Sequence, residues 1–304
     1  MRISRKCIRT LTRAHTGRRA DCVQTAFSVR VTVLGSGSRG NAILVEGAET
    51  CVLVDAGFGP RTLAKRLHAI GKHPSQISAL VLTHEHTDHA SGAAQACRKW
   101  GWPLFASGGT LAALGESTDG CPAGATTLAL DCHITAPGFD IRASAVPHDA
   151  RECTALVLAD QRSAVRIGIA LDLGHVPSLL PEAFHRLDFL VVESNHDERL
   201  LANGPYPWSL KQRIGGALGH LSNGAAAAFV SACAHRGLRG IMLAHLSETN
   251  NTPAHALART RDALRRAGWR RDALWAAHQT QACGPQGTSH GVTSDSTKQL
   301  YLAL

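Results

Sequence analysis

The chain has 304 residues with 44% hydrophobic and 18% charged content, enough apolar surface to bury a large core and too little charge for a disordered chain. No uninterrupted apolar run reaches the roughly 20 residues a membrane-crossing helix needs, so a soluble cytoplasmic protein is expected. The net charge of +9 is unevenly placed: Arg2, Arg5, Lys6, Arg9, Arg13, Arg18 and Arg19 stand against Asp21 alone in residues 1–27. The core is therefore nearly balanced, and its charge is weak evidence for a polyanionic partner. The nine cysteines form no Cys-x-x-Cys pair, which argues against a disulfide framework or a zinc ribbon.

Residues 1–27 read as a basic, disordered extension, with a transit-peptide composition as the alternative. Order begins with the alternating strand Val29–Leu34, followed by Gly35-Ser36-Gly37-Ser38-Arg39-Gly40. That run fits Gly-x-Gly-x-x-Gly, but a dinucleotide site needs a helix after the glycines. Here two β-rich segments, 42–46 and 51–54, flank Gly47-Ala48-Glu49 and predict a hairpin. Pro60 opens a helix with Leu63, Leu67 and Ile70 on one face, stopped at Gly71.

The apolar run Ala79-Leu80-Val81-Leu82 ends in Thr83-His84-Glu85-His86-Thr87-Asp88-His89. Imidazoles and a carboxylate concentrated where a strand gives way to a helix (predicted over 90–100) are the ligand set of hydrolytic Zn or Mn sites. His84 and His86 can face one ion, Asp88 and His89 a neighbour. A short strand follows at 103–106, and residues 107–130 read as helix and loop. Further strands are predicted at 141–146, 155–158, 165–171, 189–192 and 240–243. A polar stretch reaches Gly216, and helices follow at 224–235 and from Thr252 to about Gly268. Residues 279–304 read as a loose tail. Strand after strand ends in a potential ligand: Asp55, His84, His148, Asp172, His196 and His245. That convergence on one sheet edge is where open αβ architectures place their sites.

These features resemble the metallo-β-lactamase fold. The branch indicated is that of the YycJ/WalJ-type hydrolases related to DNA exonucleases, through Leu34–Asn41, Pro147–Ala150, Leu171–Gly174, Glu193–Asp197, Asn203–Pro207, Gly219–Asn223 and Ala244–Ser247. The resemblance spans residues 29–266. It implies a four-layer αββα sandwich with two mixed β-sheets and outer helices, as a hydrolase domain over residues 28–278. It also implies two divalent metal ions, Zn or Mn. By position, His84, His86 and His148 hold one and Asp88, His89 and His245 the other, with Asp172 between them; His196 and His220 compete with His245 for the last place. The reaction implied is hydrolysis of a nucleic-acid phosphodiester, DNA exonuclease-like, by a hydroxide shared between the ions. Asp88 accepts its hydrogen bond, and His196 or His220 donates a proton to the leaving group. Asn195, His196, Lys211, Arg213, His220 and Ser222 are expected to contact substrate, since Tyr206–Arg213 mixes aromatics with cations as a nucleic-acid groove does. Two readings compete: a hydrolase of small phosphodiesters or thioesters on the same site, and a non-enzymatic nucleic-acid-binding module driven by the basic extension.

Overall fold

A computed structural model describes residues 29–284 and 300–302. The extension read at residues 1–27, and residues 285–299 of the tail, lie outside that range. Both faces of most central strands are buried, so their sequences are near-continuous apolar runs whose alternate residues serve two different cores. In the first half, β1 (Val29–Gly35), β2 (Ala42–Glu46) and β3 (Cys51–Val54) form an antiparallel meander that contains the expected hairpin. Helix α1 (Pro60–Ala69) leads to β4 (Ile77–Val81), parallel to β3. Helices α2 (Thr87–Ala90) and α3 (Ala93–Trp100) precede β5 (Leu104–Ala106), and α4 (Gly108–Glu116) precedes β6 (Thr126–Thr127).

In the second half, β7 (His133–Ala136), β8 (Phe139–Ala145), β9 (Thr154–Asp160) and β10 (Arg166–Ala170) run antiparallel. Then come α5 (Leu180–Ala183), β11 (Phe189–Glu193), α6 (Glu198–Asn203), α7 (Trp208–Ile214), α8 (Asn223–Cys233), β12 (Gly240–Ala244), α9 (Pro253–Arg266) and β13 (Leu274–Ala276). Strands β10 to β13 are mutually parallel. A last strand, β14 (Leu300–Leu302), pairs with β1.

The result is two seven-stranded mixed sheets, in the orders β14-β1-β2-β3-β4-β5-β6 and β13-β12-β11-β10-β9-β8-β7. Val52, Val54, Val81, Leu156, Leu158, Ile167, Ile169 and Val191 meet between the sheets. Leu53, Leu80 and Leu82 face the other way, toward Leu63 and Leu67 of α1 and Ala93 of α3. Leu190, Val192, Ile241 and Leu243 likewise face Ala226, Phe229 and Val230 of α8 and Leu264 of α9. This is the four-layer αββα sandwich.

Several expectations need correction. The helix predicted over 90–100 is two helices broken at Ser91-Gly92. At Gly92 an added Cβ would lie 1.9 Å from the Phe58 carbonyl oxygen, so the chain bends to pack on the turn after β3. The polar stretch before Gly216 contains α6 and α7, whose few apolar residues form too short a helical stripe to announce them. Strands β7 and β13 escaped notice because they are short edge strands with little apolar patterning. Parts of the tail read as loose are tied to the first sheet: Cys283 pairs with Val33, and the Gln279 side chain bonds Gly40 and Arg39.

Candidate metal centre

The site lies at the carboxyl ends of strands from both sheets. Loop 82–89, after β4, supplies His84, His86, Asp88 and His89; His148 follows β8, Asp172 follows β10, and His245 follows β12. Asp55, Asp172 and His245 have positive φ of 62°, 54° and 51°. Left-handed backbone at the first or second residue past a strand turns the chain sharply, and such conformations concentrate at functional sites. Gly57 permits the close fit of the first two loops, since a Cβ there would lie 1.8 Å from the Asp88 carbonyl oxygen.

Ligand-type atoms gather in three groups, the last two sharing Asp172 and His245: His84, His86 and His148; Asp88, His89, Asp172 and His245; and Asp172, Glu193, His220 and His245. Asp172 joins them. Its Oδ2 lies 3.3 Å from His84 Nε2 and 2.8 Å from His89 Nε2, and its Oδ1 lies 2.8 Å from His245 Nδ1. The ring orientations are fixed from behind. Asp55 takes the Thr83 hydroxyl at 3.0 Å and His89 Nδ1 at 2.7 Å, and Thr83 Oγ1 lies 3.0 Å from His84 Nδ1. His148 Nδ1 sits 3.0 Å from the Gly219 carbonyl, leaving Nε2 facing His86 Nδ1 at 3.3 Å. A ring nitrogen engaged by a backbone or carboxylate acceptor leaves the other as a lone-pair donor, the arrangement metal-ligating histidines show.

The residues fit divalent ions on two observations. His84 Nε2 and Asp172 Oδ1 are buried and, although close to Asp172 Oδ2 and His245 Nδ1 respectively, make no hydrogen bond of good geometry, and a buried polar atom without one is costly unless something binds it. The donor set, imidazole with carboxylate, suits Zn or Mn. Electrostatics divide the site. Burial and the neighbouring histidines push His84 well below its ordinary pKa, and burial lowers His148, so both stay neutral. Burial also opposes charge on His89, but the carboxylates of Asp172 and Asp55 override it and hold its pKa at about 10. Asp172, despite burial, is held well below the usual carboxylate range by His245 and His89. These histidine protons stand where cations would, and ion binding would displace them.

Of the histidines weighed for the last ligand place, His245 joins the cluster with Asp88, its Nε2 3.2 Å from Asp88 Oδ2. His220 lines the cavity with Nδ1 2.7 Å from Glu193 Oε1. His196 belongs to none of the three groups and is absent from the cavity lining; it is buried, its Nδ1 has no partner, and its backbone bridges Ser222. Asn195, expected on substrate, is buried and bonds the His245 carbonyl at 3.0 Å, which steadies that loop. Ser222 caps α8 through Ala225. Lys211 turns away to the Ala202 carbonyl at 2.8 Å. Arg213 does reach the cavity, paired with Asp149 at 2.6 Å. Asp55, read as a converging ligand, stands behind His89 instead.

Glu193 is the participant that sequence reasoning left unassigned. It is fully buried and accepts the backbone N–H of Leu173 at 3.0 Å and of Leu221 at 3.1 Å. Its other oxygen meets His220 at 2.7 Å and His245 at 3.2 Å. A carboxylate directly after the apolar run Phe189–Val192 was the available signal.

Residues 35–161 match the metallo-beta-lactamase superfamily. The exodeoxyribonuclease WalJ of Streptococcus pneumoniae serotype 2 is 33% identical over 231 residues, covering 73% of this chain and 83% of the relative. The exodeoxyribonuclease YycJ of Bacillus anthracis is 30% identical over 226 residues, covering 74% and 85%. Among solved structures, the metallo-beta-lactamase fold protein YhfI of Bacillus subtilis matches with a TM-score of 0.59 at 18% identity, over 84% of this chain and 98% of that one. Among the described residues no helix is long and apolar enough to cross a membrane.

Proposed function

This chain belongs to the metallo-β-lactamase superfamily and is a metal-dependent hydrolase, and we propose that it is a dinuclear phosphodiesterase that removes nucleotides from DNA. His84, His86 and His148 would hold one divalent ion; Asp88, His89 and His245 would hold the second, with Asp172 shared between them. The observation that carries this reading is the convergence of imidazoles and carboxylates whose ligand atoms within each group lie within 4.8 Å of one another, among which His84 Nε2 and Asp172 Oδ1 make no hydrogen bond of good geometry. Bound divalent ions supply a nucleophile at neutral pH by acidifying water and offset charge on the attacked phosphoryl group.

The chain's own groups would do the rest. Asp88, on the cavity wall and next to His245, is placed to accept a hydrogen bond from the attacking water. His220, on the same wall with Nδ1 held by Glu193, has Nε2 available to donate to the leaving oxygen. Arg213, anchored by Asp149, offers its guanidinium to a non-bridging phosphate oxygen. The DNA assignment draws support from the exodeoxyribonucleases WalJ and YycJ, which align over most of both chains.

The test is cleavage of end-labelled single-stranded DNA, duplex DNA, RNA and bis(p-nitrophenyl) phosphate by metal-loaded protein and by His84→Ala. Metal-dependent release of nucleotides from DNA, lost in the variant, is expected. Hydrolysis of the small ester with DNA untouched would replace this reading by that of a small-phosphodiester hydrolase.

A further inference from the structure

Helix α7 stands out because none of its residues is buried, although it borders the cavity. Leu210, Arg213 and Ile214 follow i, i+3, i+4 spacing and so share one helical face, and all three line the cavity together with Tyr206. The same cavity is lined by His86, Asp88, His148, Asp172, His220 and His245. Trp208, 73% exposed, is two positions from Leu210 and therefore points off that face. The wall is held in place. The Tyr206 hydroxyl bonds Thr249 Oγ1 at 3.1 Å. Arg213 Nη2 pairs with Asp149 at 2.6 Å, which fixes the helix to the loop that carries His148. Lys211 closes the back of the helix onto the Ala202 carbonyl at 2.8 Å.

The cavity therefore joins the ligand-rich cluster to the apolar side chains Leu210 and Ile214, with the Arg213 cation among them. Its volume is about 350 Å³, at the small end of the roughly 300–1,000 Å³ of small-molecule sites. That is of the order of a single nucleotide residue. Resting on the nuclease reading above, we infer that α7 and Tyr206 form a nucleobase subsite for one unpaired terminal nucleotide. The base lies against Tyr206, Leu210 and Ile214, and Arg213 contacts its phosphate as that phosphate faces the ligand cluster. A flat apolar wall takes any base by its π face, so the subsite selects an unpaired strand end over sequence. Duplex ends must fray to enter.

The experiment compares kcat/KM for single-stranded DNA with kcat/KM for bis(p-nitrophenyl) phosphate, which has no base, in the metal-loaded full chain. The DNA-to-ester ratio should fall about tenfold or more in Leu210→Ala and in Tyr206→Ala, within the range of base-stacking losses. Tyr206→Phe, which keeps the ring, should restore most of it, and Trp208→Ala should leave the ratio as in the unsubstituted protein. A second measurement needs no variant: a DNA oligonucleotide ending in 2-aminopurine should lose fluorescence on binding, more than one with the probe placed internally. An unchanged ratio in Leu210→Ala and Tyr206→Ala, an equal fall in Trp208→Ala, or no preferential quenching of the terminal probe would overturn the subsite while leaving the nuclease reading intact. Absence of DNA cleavage by the unsubstituted protein would overturn both.

Discussion

His84, His89, His148 and His245 each have one ring nitrogen engaged from behind, by Thr83, Asp55, the Gly219 carbonyl and Glu193 respectively. Those partners decide which nitrogen is free, and outer partners of this kind are worth about 10–100-fold in metal affinity or activity. Glu193 carries the largest share, since one buried carboxylate holds two loops and two imidazoles. Burial alone would raise its pKa, but His220 and His245 outweigh burial and keep it ionised. Glu193→Gln keeps the size and removes the charge. It should weaken divalent-ion binding or kcat by about 10–100-fold, checked by metal titration beside steady-state rates. Unchanged affinity and rate would reduce Glu193 to a packing residue.

At the scale of elements, the loops depend on backbone contact more than on side-chain choice. Asn41 N–H bonds the Asp88 carbonyl at 2.7 Å, and Ala56 N–H bonds the His89 carbonyl at 2.7 Å, so the loop after β4 is seated on both the β1–β2 loop and the turn after β3. Gly57→Ala would drive a methyl into the Asp88 carbonyl and force the loops apart. A cost of about 1–3 kcal/mol is expected from such overpacking, read by denaturant unfolding, together with weakened divalent-ion binding. The cluster from His84 to His89 was legible because its ligands are adjacent in sequence. The later strand-end residues His148, Asp172 and His245 were legible as a recurring position. What stayed hidden depends on partners far along the chain. The turning away of Lys211 toward Ala202, the pairing of Arg213 with Asp149, and the two backbone N–H groups on Glu193 leave no local pattern. The unburied α7 has only Leu210 and Ile214 at helical spacing, too short a stripe to announce it.

For the whole molecule, the centre is a clasp between the sheets. Loop 82–89 leaves the first sheet, while His148, Asp172 and His245 leave the second; beneath them the Thr154 N–H and hydroxyl both bond the Thr83 carbonyl at 3.0 Å. Ions bound across this seam would stabilise the folded chain by mass action, about 2.7 kcal/mol at a hundred times the dissociation constant. The basic residues concentrated in 1–27 fall outside the described residues, and no group of the site is drawn from them. The proposal of a dinuclear centre is tested most directly by counting metal ions per chain in purified, zinc- or manganese-equilibrated protein, before and after Asp172→Ala. Two equivalents in the unsubstituted chain are expected, with the Asp172→Ala chain losing at least one of them and its hydrolytic activity. A single equivalent, or two equivalents and full activity retained without Asp172, would contradict the shared two-ion centre.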